Sequence, residues 1–464
     1  MTSLMTEYVP ATVIQNLPMN IRGEIVTPDL PAYEQARLAW NLSVQQRPGL
    51  IVYPLDADDV AEAVKFAGAH DLSIAVQGTG HGILRAADGA LLINTSRMKG
   101  VRIEAQAGTA RVEAGCVWGD VLPLAQAHGL APLLGSSTGV GVVGYTLGGG
   151  MGWLARKHGL AADSVIAFEA VTMDGRQVRA SATENADLFW ALRGGGGSFA
   201  IVTAMEIKLY PVGTVFAGNL LYPIEMAKEV MARWREWTQD APAELTSAVV
   251  IMNYPPLPMV PEFLRGKSFV QVRGCHAGDL AEGEQLLKFW LDWRAPIANL
   301  WYAMPFSEAD SISMDPRDPM PGKSSGAWLR NFSDAAIDAL AQHAIAAHGS
   351  PLVLAEVRHA GGAIRNAHAK AAAFGHRDAE FVMHVVGITP TPEAMHAVEA
   401  SMAALLHDLR DDQAGVYLNF LEGEEARALT KEAFSEDTYH WLKHFKRKVD
   451  PHNRLSHAYD IEPA

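Results

Sequence analysis

Gln77-Gly78-Thr79-Gly80-His81-Gly82 follows directly on the apolar stretch Leu72 to Val76, and a second glycine-dense run, Gly139 to Gly152, lies downstream. Glycine has no Cβ and tolerates positive φ, so loops of this composition bring their amide groups close around a pyrophosphate. His81 stands between Gly80 and Gly82, where the backbone presses it against whatever the loop wraps. A histidine beside glycines is by itself an ordinary turn residue. The second glycine run and the motifs around it give this one its weight.

Working outward, 464 residues exceed the usual limit for one core, which predicts two domains, and 49% hydrophobic content supplies both. With 38 basic and 52 acidic residues the net charge is −14, which opposes a phosphate backbone or an anionic membrane. Nucleic acid is not an expected partner. Met1 to Gly23 carries Glu7, Pro10, Gln15, Asn16 and Pro18, with no basic n-region or unbroken apolar core, so no secretion signal is read there. No apolar run reaches the roughly 18 residues of a membrane span. Cys116 and Cys275 are the only cysteines, which argues against a disulfide framework and a cysteine zinc cluster. The expectation is a cytoplasmic protein with no metal centre; its oligomeric state is left open.

The periodicities alternate between types. Val60, Ala63, Val64 and Ala67 recur at helical spacing behind an aspartate cap, and Leu72 to Val76 reads as a strand. Ala90 to Ile93 and Ala110 to Ala114 are strands, and Val117 to His128 is a helix stopped by Gly129. Ser164 to Thr172 and Gln177 to Ala180 flank Asp174-Gly175, a hairpin signature. Asn185 to Leu192 is a short helix, Ile201 to Leu209 a strand, and Pro211 a breaker, which sets a boundary near Val212. Beyond it, helices are read over Met226 to Thr238, Leu280 to Trp293 and Asp437 to Lys448. Strands are read at Ser247 to Met252, Ser268 to Val272, Leu352 to Arg358, Phe381 to Val386 and Val416 to Phe420. Pro255 to Pro261 and Pro316 to Pro321 are surface loops or lid material. The class is α+β.

Gly139-Val140-Gly141-Val142-Val143-Gly144 matches the dinucleotide fingerprint G-x-G-x-x-G. A helix opened there would carry Gly148, Gly149, Gly150 and Gly152, at a cost of about 3 to 4 kcal/mol relative to alanine. Pro132 to Thr138 also lacks the β-branched run of a buried parallel strand. A nicotinamide-binding Rossmann unit is therefore rejected.

Several segments together resemble the berberine-bridge-enzyme-like FAD-linked oxidases of the vanillyl-alcohol-oxidase superfamily, with its PCMH-type FAD-binding domain. They are Pro48-Gly49-Leu50-Ile51-Val52, the loop Gly78 to Gly82, Val140-Gly141 through Leu147-Gly148-Gly149-Gly150-Met151-Gly152-Trp153-Leu154, and Arg156-Lys157-His158-Gly159-Leu160. Asn185-Ala186-Asp187-Leu188-Phe189-Trp190-Ala191-Leu192-Arg193-Gly194-Gly195-Gly196-Gly197 and the terminal Asp450-Pro451-His452-Asn453 complete the match. The resemblance implies an FAD-binding domain of two α+β subdomains over residues 23–212. It also implies a substrate domain with an antiparallel sheet flanked by helices over 213–420, and a returning segment over 421–464. It places a histidine bonded to the flavin 8α-methyl at His81. It implies further cofactor contacts at Gln77, Gly78, Thr79, Gly80, Gly82, Ser137, Val140, Gly141, Gly144, Gly148, Gly149, Gly150, Gly152, Ile201, Val202 and Asn453.

Some relatives add a cysteine link where this chain has Ser137, so the expectation is FAD held covalently through His81 only; a hydroxyl is a far weaker nucleophile than a thiol near neutral pH. Departures from the pattern include Gln77 for arginine, Asn94 for aspartate, Val143 for glycine, Ser198 and Ala200 in a G-N-F-G run, and Leu455, Ala458 and Asp460 in the terminal motif.

The resemblance implies an oxidase: hydride passes to flavin N5 from a C–H next to oxygen or nitrogen of a small substrate, and dioxygen reoxidises the flavin to hydrogen peroxide. Secondary alcohols, hydroxylated N-heterocycles and natural-product intermediates are the expected substrates. Val140 occupies the position that controls oxygen access in that resemblance. A dehydrogenase with another acceptor, or a flavin-binding module without turnover, are the alternatives. Alternation along a strand would put Tyr417 and Asn419 on one face, opposite Val416, Leu418 and Phe420. Tyr417 can serve as base only if its pKa falls from near 10, which requires a positive neighbour. Arg358 is the candidate, sharing a strand face with Leu354 and Glu356; the plainer reading is that Glu356 and Arg358 pair with each other. Tyr417, Asn419, Glu356 and Arg358 are thus the expected catalytic residues.

Overall fold

The computed structural model describes residues 20–258, 260–366 and 371–464. Most of Met1 to Gly23, where no secretion signal was read, and Met259 of the proline-rich loop lie outside these. Strands β1 (Glu24–Val26), β2 (Leu50–Tyr53), β3 (Ile74–Gln77) and β4 (Leu91–Asn94) form a sheet of order β1-β2-β4-β3, with β4 parallel to both its neighbours. Helix α1 (Ala57–Ala69) packs on it. Its Asp56 cap accepts the amides of Asp58 and Asp59, and Val60, Ala63, Val64 and Ala67 are buried at the expected spacing. The loop of His81 leaves the C-terminal end of β3.

A second sheet, β5 (Val101–Glu104), β6 (Thr109–Glu113), β7 (Val165–Val171), β8 (Gln177–Ser181) and β9 (Ile201–Lys208), is antiparallel with order β5-β6-β9-β7-β8. Gly175, at φ 77°, turns the β7–β8 hairpin. Helix α2 (Trp118–Gln126) and the six-residue α3 (Val142–Leu147) pack here, and α4 (Ala186–Leu192) follows β8. The glycine fingerprint does open a helix, contrary to the sequence reading, but α3 ends at Gly148 before the costly glycines. The segment preceding it has no parallel strand, so the Rossmann unit is still absent.

The sheet changes after Lys208. Strands β10 (Thr214–Pro223), β11 (Leu245–Asn253), β12 (Ser268–His276), β13 (Ala298–Asn299), β14 (Tyr302–Pro305), β15 (Gly322–Leu329), β16 (Leu352–His359), β17 (Phe381–Ile388) and β18 (Gln413–Val416) make one nine-stranded sheet of order β13-β10-β12-β11-β16-β17-β15-β18, with β14 also on β10. All its pairings are antiparallel. Helices α5 (Ala227–Gln239), α6 (Leu280–Leu291), α7 (Asp334–Ala344) and α8 (Pro392–Asp408) cover one face. Val230, Met231, Trp234 and Trp237 of α5 bury there, a contribution of about 1.5 to 3 kcal/mol for each large side chain. Because side chains alternate, Val249, Ala355, Val357 and Met383 join the helices while Ala248, Val250 and Leu354 join the core that includes the second sheet.

After β18 the chain returns. Helix α9 (Glu436–Val449) sets Lys446 Nζ on Ser198 O at 2.8 Å, and Arg454 O accepts the amide of Ile74 at the start of β3. Among the described residues no helix is long and apolar enough to cross a membrane. Among the described residues no group of three or more His, Cys, Asp or Glu gathers to hold a metal ion either.

Candidate active site

The loop after β3 is zipped to residues 39–41. The amide of Trp40 donates to Thr79 O at 3.0 Å and that of Asn41 to Gly80 O at 3.1 Å. Gly80 has φ 78°, and a Cβ there would press on Ala39. The His81 ring lies flat on Trp40, centroids 4.3 Å apart and planes 14° apart, with Nδ1 2.8 Å from Thr79 Oγ1. Burial pushes its pKa down to about 4, so the imidazole is neutral at physiological pH. Gln77 faces away: its Nε2 donates to Leu38 O and its Oε1 accepts Gln46 Nε2.

The second glycine run meets the first. A Cβ on Gly141 would touch Thr79 Oγ1 at 3.4 Å, whereas at Gly82 and at exposed Gly144 it would meet nothing within 4 Å. The two loops thus converge at Thr79 and Gly141, with open space around Gly82 beside the neutral histidine. Ser137 is buried, its Oγ accepting the Gly139 amide at 3.3 Å. Ser136 donates to Asp315 and Thr138 to Asp310, which fastens this loop to the segment between β14 and β15. Val140 is partly buried, its carbonyl accepting the Trp118 amide. Cys116 and Cys275 are buried elsewhere, and burial pushes both thiols up. Ile201 and Val202 are core residues of β9, and Asn453 is a turn residue at φ 49°, next to Arg454 at the far end of β3 from His81.

Gly148, Gly149, Gly150 and Gly152 form a tight turn whose missing side chains are replaced by Asn419, Phe374, Tyr145 and the Leu134 carbonyl. Positive φ at Gly149 and Gly150 aims successive amides at one point. The amides of Gly150 and Met151 each donate to Tyr417 Oη at 3.1 Å, and Asn419 Nδ2 donates to it at 3.2 Å. Strand β18 stops at Val416, and Leu418–Phe420 is a 3₁₀ turn, so the expected Val416 to Phe420 strand is corrected. Tyr417 and Asn419 still meet, through that turn rather than through pleating. The lowered phenol pKa is not found: burial pushes Tyr417 up to about 12, against the opposing pull of Asn419, the two amides and Arg358.

The remaining wall is the uncovered face of the nine-stranded sheet. Register aligns Arg273, Ala248 and Arg358 in one row and Gln271, Val250, Glu356 and His384 in the next. Arg273 Nη2 lies 2.9 Å from Glu356 Oε1 and Arg358 Nη2 2.9 Å from Glu356 Oε2, all three buried. Burial raises the Glu356 carboxyl, but the two guanidinium groups outweigh it and hold it at about 2. Glu356 is therefore a paired anion. Arg358 also donates to Met151 O at 3.1 Å and lies over the Trp153 ring, which carries this wall to the glycine turn. His384 stacks on Phe420, centroids 4.0 Å apart, and burial holds it neutral with a pKa of about 4.

Trp40, Arg273, His384 and Glu422 escaped the sequence reading. Glu422 accepts Asn41 Nδ2 at 3.1 Å and Ser324 Oγ at 3.1 Å, bridging the histidine loop and β15. A carboxylate after Y-x-N and a basic residue on a strand were visible signals, but nothing local assigned them partners.

This architecture is shared with solved flavoproteins. The structure of 6-hydroxy-D-nicotine oxidase from Arthrobacter nicotinovorans superposes with a TM-score of 0.84 at 24% identity, covering 97% of this chain and 100% of that one. BBE-like 1 of Physcomitrella patens gives 0.81 at 22% identity, covering 96% and 97%. In sequence, the FAD binding domain family profile matches residues 48–181. Over nearly its whole length the chain is similar to PCMH-type FAD-linked oxidoreductases. Its relatives within these oxidoreductases include (R)-6-hydroxynicotine oxidase of Paenarthrobacter nicotinovorans, 28% identical over 96% of this chain and 98% of that protein. An FAD-linked oxidoreductase of Dictyostelium discoideum is 26% identical over 97% of each. Both converging glycine loops lie within the matched residues 48–181 of this oxidoreductase, and the charged sheet face lies across the seam from them.

Proposed function

We propose that this oxidoreductase is an oxidase acting on a C–H next to nitrogen or oxygen of a small organic substrate, with FAD tethered through His81 alone. The observation that carries the reading is the neutral His81 imidazole, held flat by Trp40 and Thr79 beside open glycine-lined space. Only the neutral ring has the lone pair needed to bond to the flavin 8α carbon. Bound there, FAD supplies the redox chemistry: hydride acceptance at N5 and two-electron transfer to dioxygen, giving hydrogen peroxide. The absence of a thiol at Ser137 supports a single tether.

The chain's own groups orient the substrate. Arg358, Glu356 and His384 form a polar wall, and Asn419 and Tyr417 brace the glycine turn beside it. Neither Glu356, near 2 and doubly paired, nor Tyr417, near 12, is poised to take a proton at neutral pH. A free-base amine surrenders hydride without first losing a hydroxyl proton, so the wall favours C–H next to nitrogen. The N-heterocyclic substrate named for the nicotine oxidase relative supports the same direction.

A yellow band surviving denaturing electrophoresis, absent from His81→Ala, is the expected result for the tether. Colourless protein that stays so after incubation with FAD, or a band that persists in the variant, overturns it. Stopped-flow mixing of reduced enzyme with air separates oxidase from dehydrogenase: reoxidation within seconds with peroxide release is expected, and a reduced form persisting for minutes makes it a dehydrogenase.

A further inference from the structure

The sheet face across from the FAD site holds two guanidinium groups around one carboxylate. Arg273 is 2% exposed, Arg358 4% and Glu356 1%, and both arginines use the same glutamate. Among the described residues no other carboxylate lies within 4.0 Å of either guanidinium. Asp315 acts on Arg358 from farther away, and its Oδ2 already accepts Ser136 Oγ. One positive charge is thus left without a contacting anion in a buried place, an expensive arrangement unless something answers it.

The donors are also incomplete. Arg358 Nε is buried with no acceptor, and Ser313 Oγ is buried and unsatisfied as well. Arg273 Nη1 reaches only Ser313 O, at a stretched 3.5 Å. A guanidinium offers a planar fork that a carboxylate matches with two parallel hydrogen bonds. Of the polar residues in the next row, Gln271 donates to Tyr254 Oη and His384 stacks on Phe420.

We propose that the substrate carries a carboxylate, which docks on Arg358 and Arg273 at this wall while its oxidisable carbon faces the flavin. This rests on the oxidase reading of the same site and narrows it to small organic acids. Glu356 becomes the positioning residue that holds the two arginines side by side.

Calorimetric titration of the purified protein with benzoate and acetate, against benzamide and acetamide, tests it. At least one acid is expected to bind about ten-fold or more tightly than its amide, a preference that shrinks in Arg358→Gln and Arg273→Gln and is partly kept in Arg358→Lys. The bound acid should also shift the flavin absorption band, which locates it at the cofactor. If neither acid outbinds its amide, or the preference is unchanged in both glutamine variants, the inference is overturned. A protein that makes peroxide but shows no acid preference keeps the oxidase reading and loses this one. A protein that shows the preference but makes no peroxide does the reverse. Both comparisons begin with the unsubstituted chain, so a variant that fails to fold does not block the result.

Discussion

Asn419 joins three parts of the site through one amide group. Its Nδ2 donates to Tyr145 O and to Tyr417 Oη, while its Oδ1 occupies the space a side chain at residue 148 would need. Gly148→Ala should therefore expel Asn419 and loosen the turn, with an overpacking cost of about 1 to 3 kcal/mol. Thermal unfolding measures it; an unchanged midpoint would show that the turn yields freely. At this scale the sequence was informative wherever chemistry is local. His81 and Thr79 are two residues apart, and the glycines around them announce the loop. Arg273 was silent because its partner, Glu356, comes from another strand, and a basic residue on a strand is ordinarily solvated.

Elements with one clear period were legible. The Asp174-Gly175 hairpin and the α1 stripe follow from turn chemistry and helical spacing, and both form as expected. Val416 to Phe420 misled because alternating apolar residues also suit a strand that ends in a single 3₁₀ turn, and periodicity over five residues does not separate the two. The fingerprint at Gly139 to Gly144 misled in a second way, since a helix can begin there and stop before its glycines cost anything. Helix α9 supplies a test at this scale. Lys446, fully buried, pairs with Asp450 at 2.7 Å and ties the helix to Ser198. Lys446→Ala leaves the Asp450 carboxylate buried without its cation, so a loss of about 3 kcal/mol in urea unfolding is expected. A loss below about 1 kcal/mol would mean that the Arg454 and Leu455 amides suffice to hold that carboxylate.

Over the whole molecule, the two units meet along a polar seam in which Glu422 is central. Burial pushes its carboxyl up to about 7, against the pull of Lys323 and Ser324. The folded chain then binds this proton more tightly than the unfolded chain, whose carboxyl titrates near 4.3. The associated stability is present in full below that value and is lost as pH rises through about 7. Glu422→Gln, which stays neutral, should flatten the decline in melting temperature between pH 4.5 and 7.5; parallel curves for the two proteins would exclude Glu422 as its source. Pro211 marks the place where one sheet ends, at Lys208, and the next begins, at Thr214. Which face of the nine-stranded sheet carries the helices was not legible, because β10 and β15 lack the simple alternation that marks a half-buried strand.

The hydrogen bond from Gly423 to Ile83 and the contact between Glu422 and Asn41 close the histidine loop with residues from near the end of the chain. During synthesis on the ribosome, the loop must therefore wait for most of the polypeptide to emerge before its last supports arrive. A fragment ending before these contacts would leave the ribosome with its glycine loop unbraced.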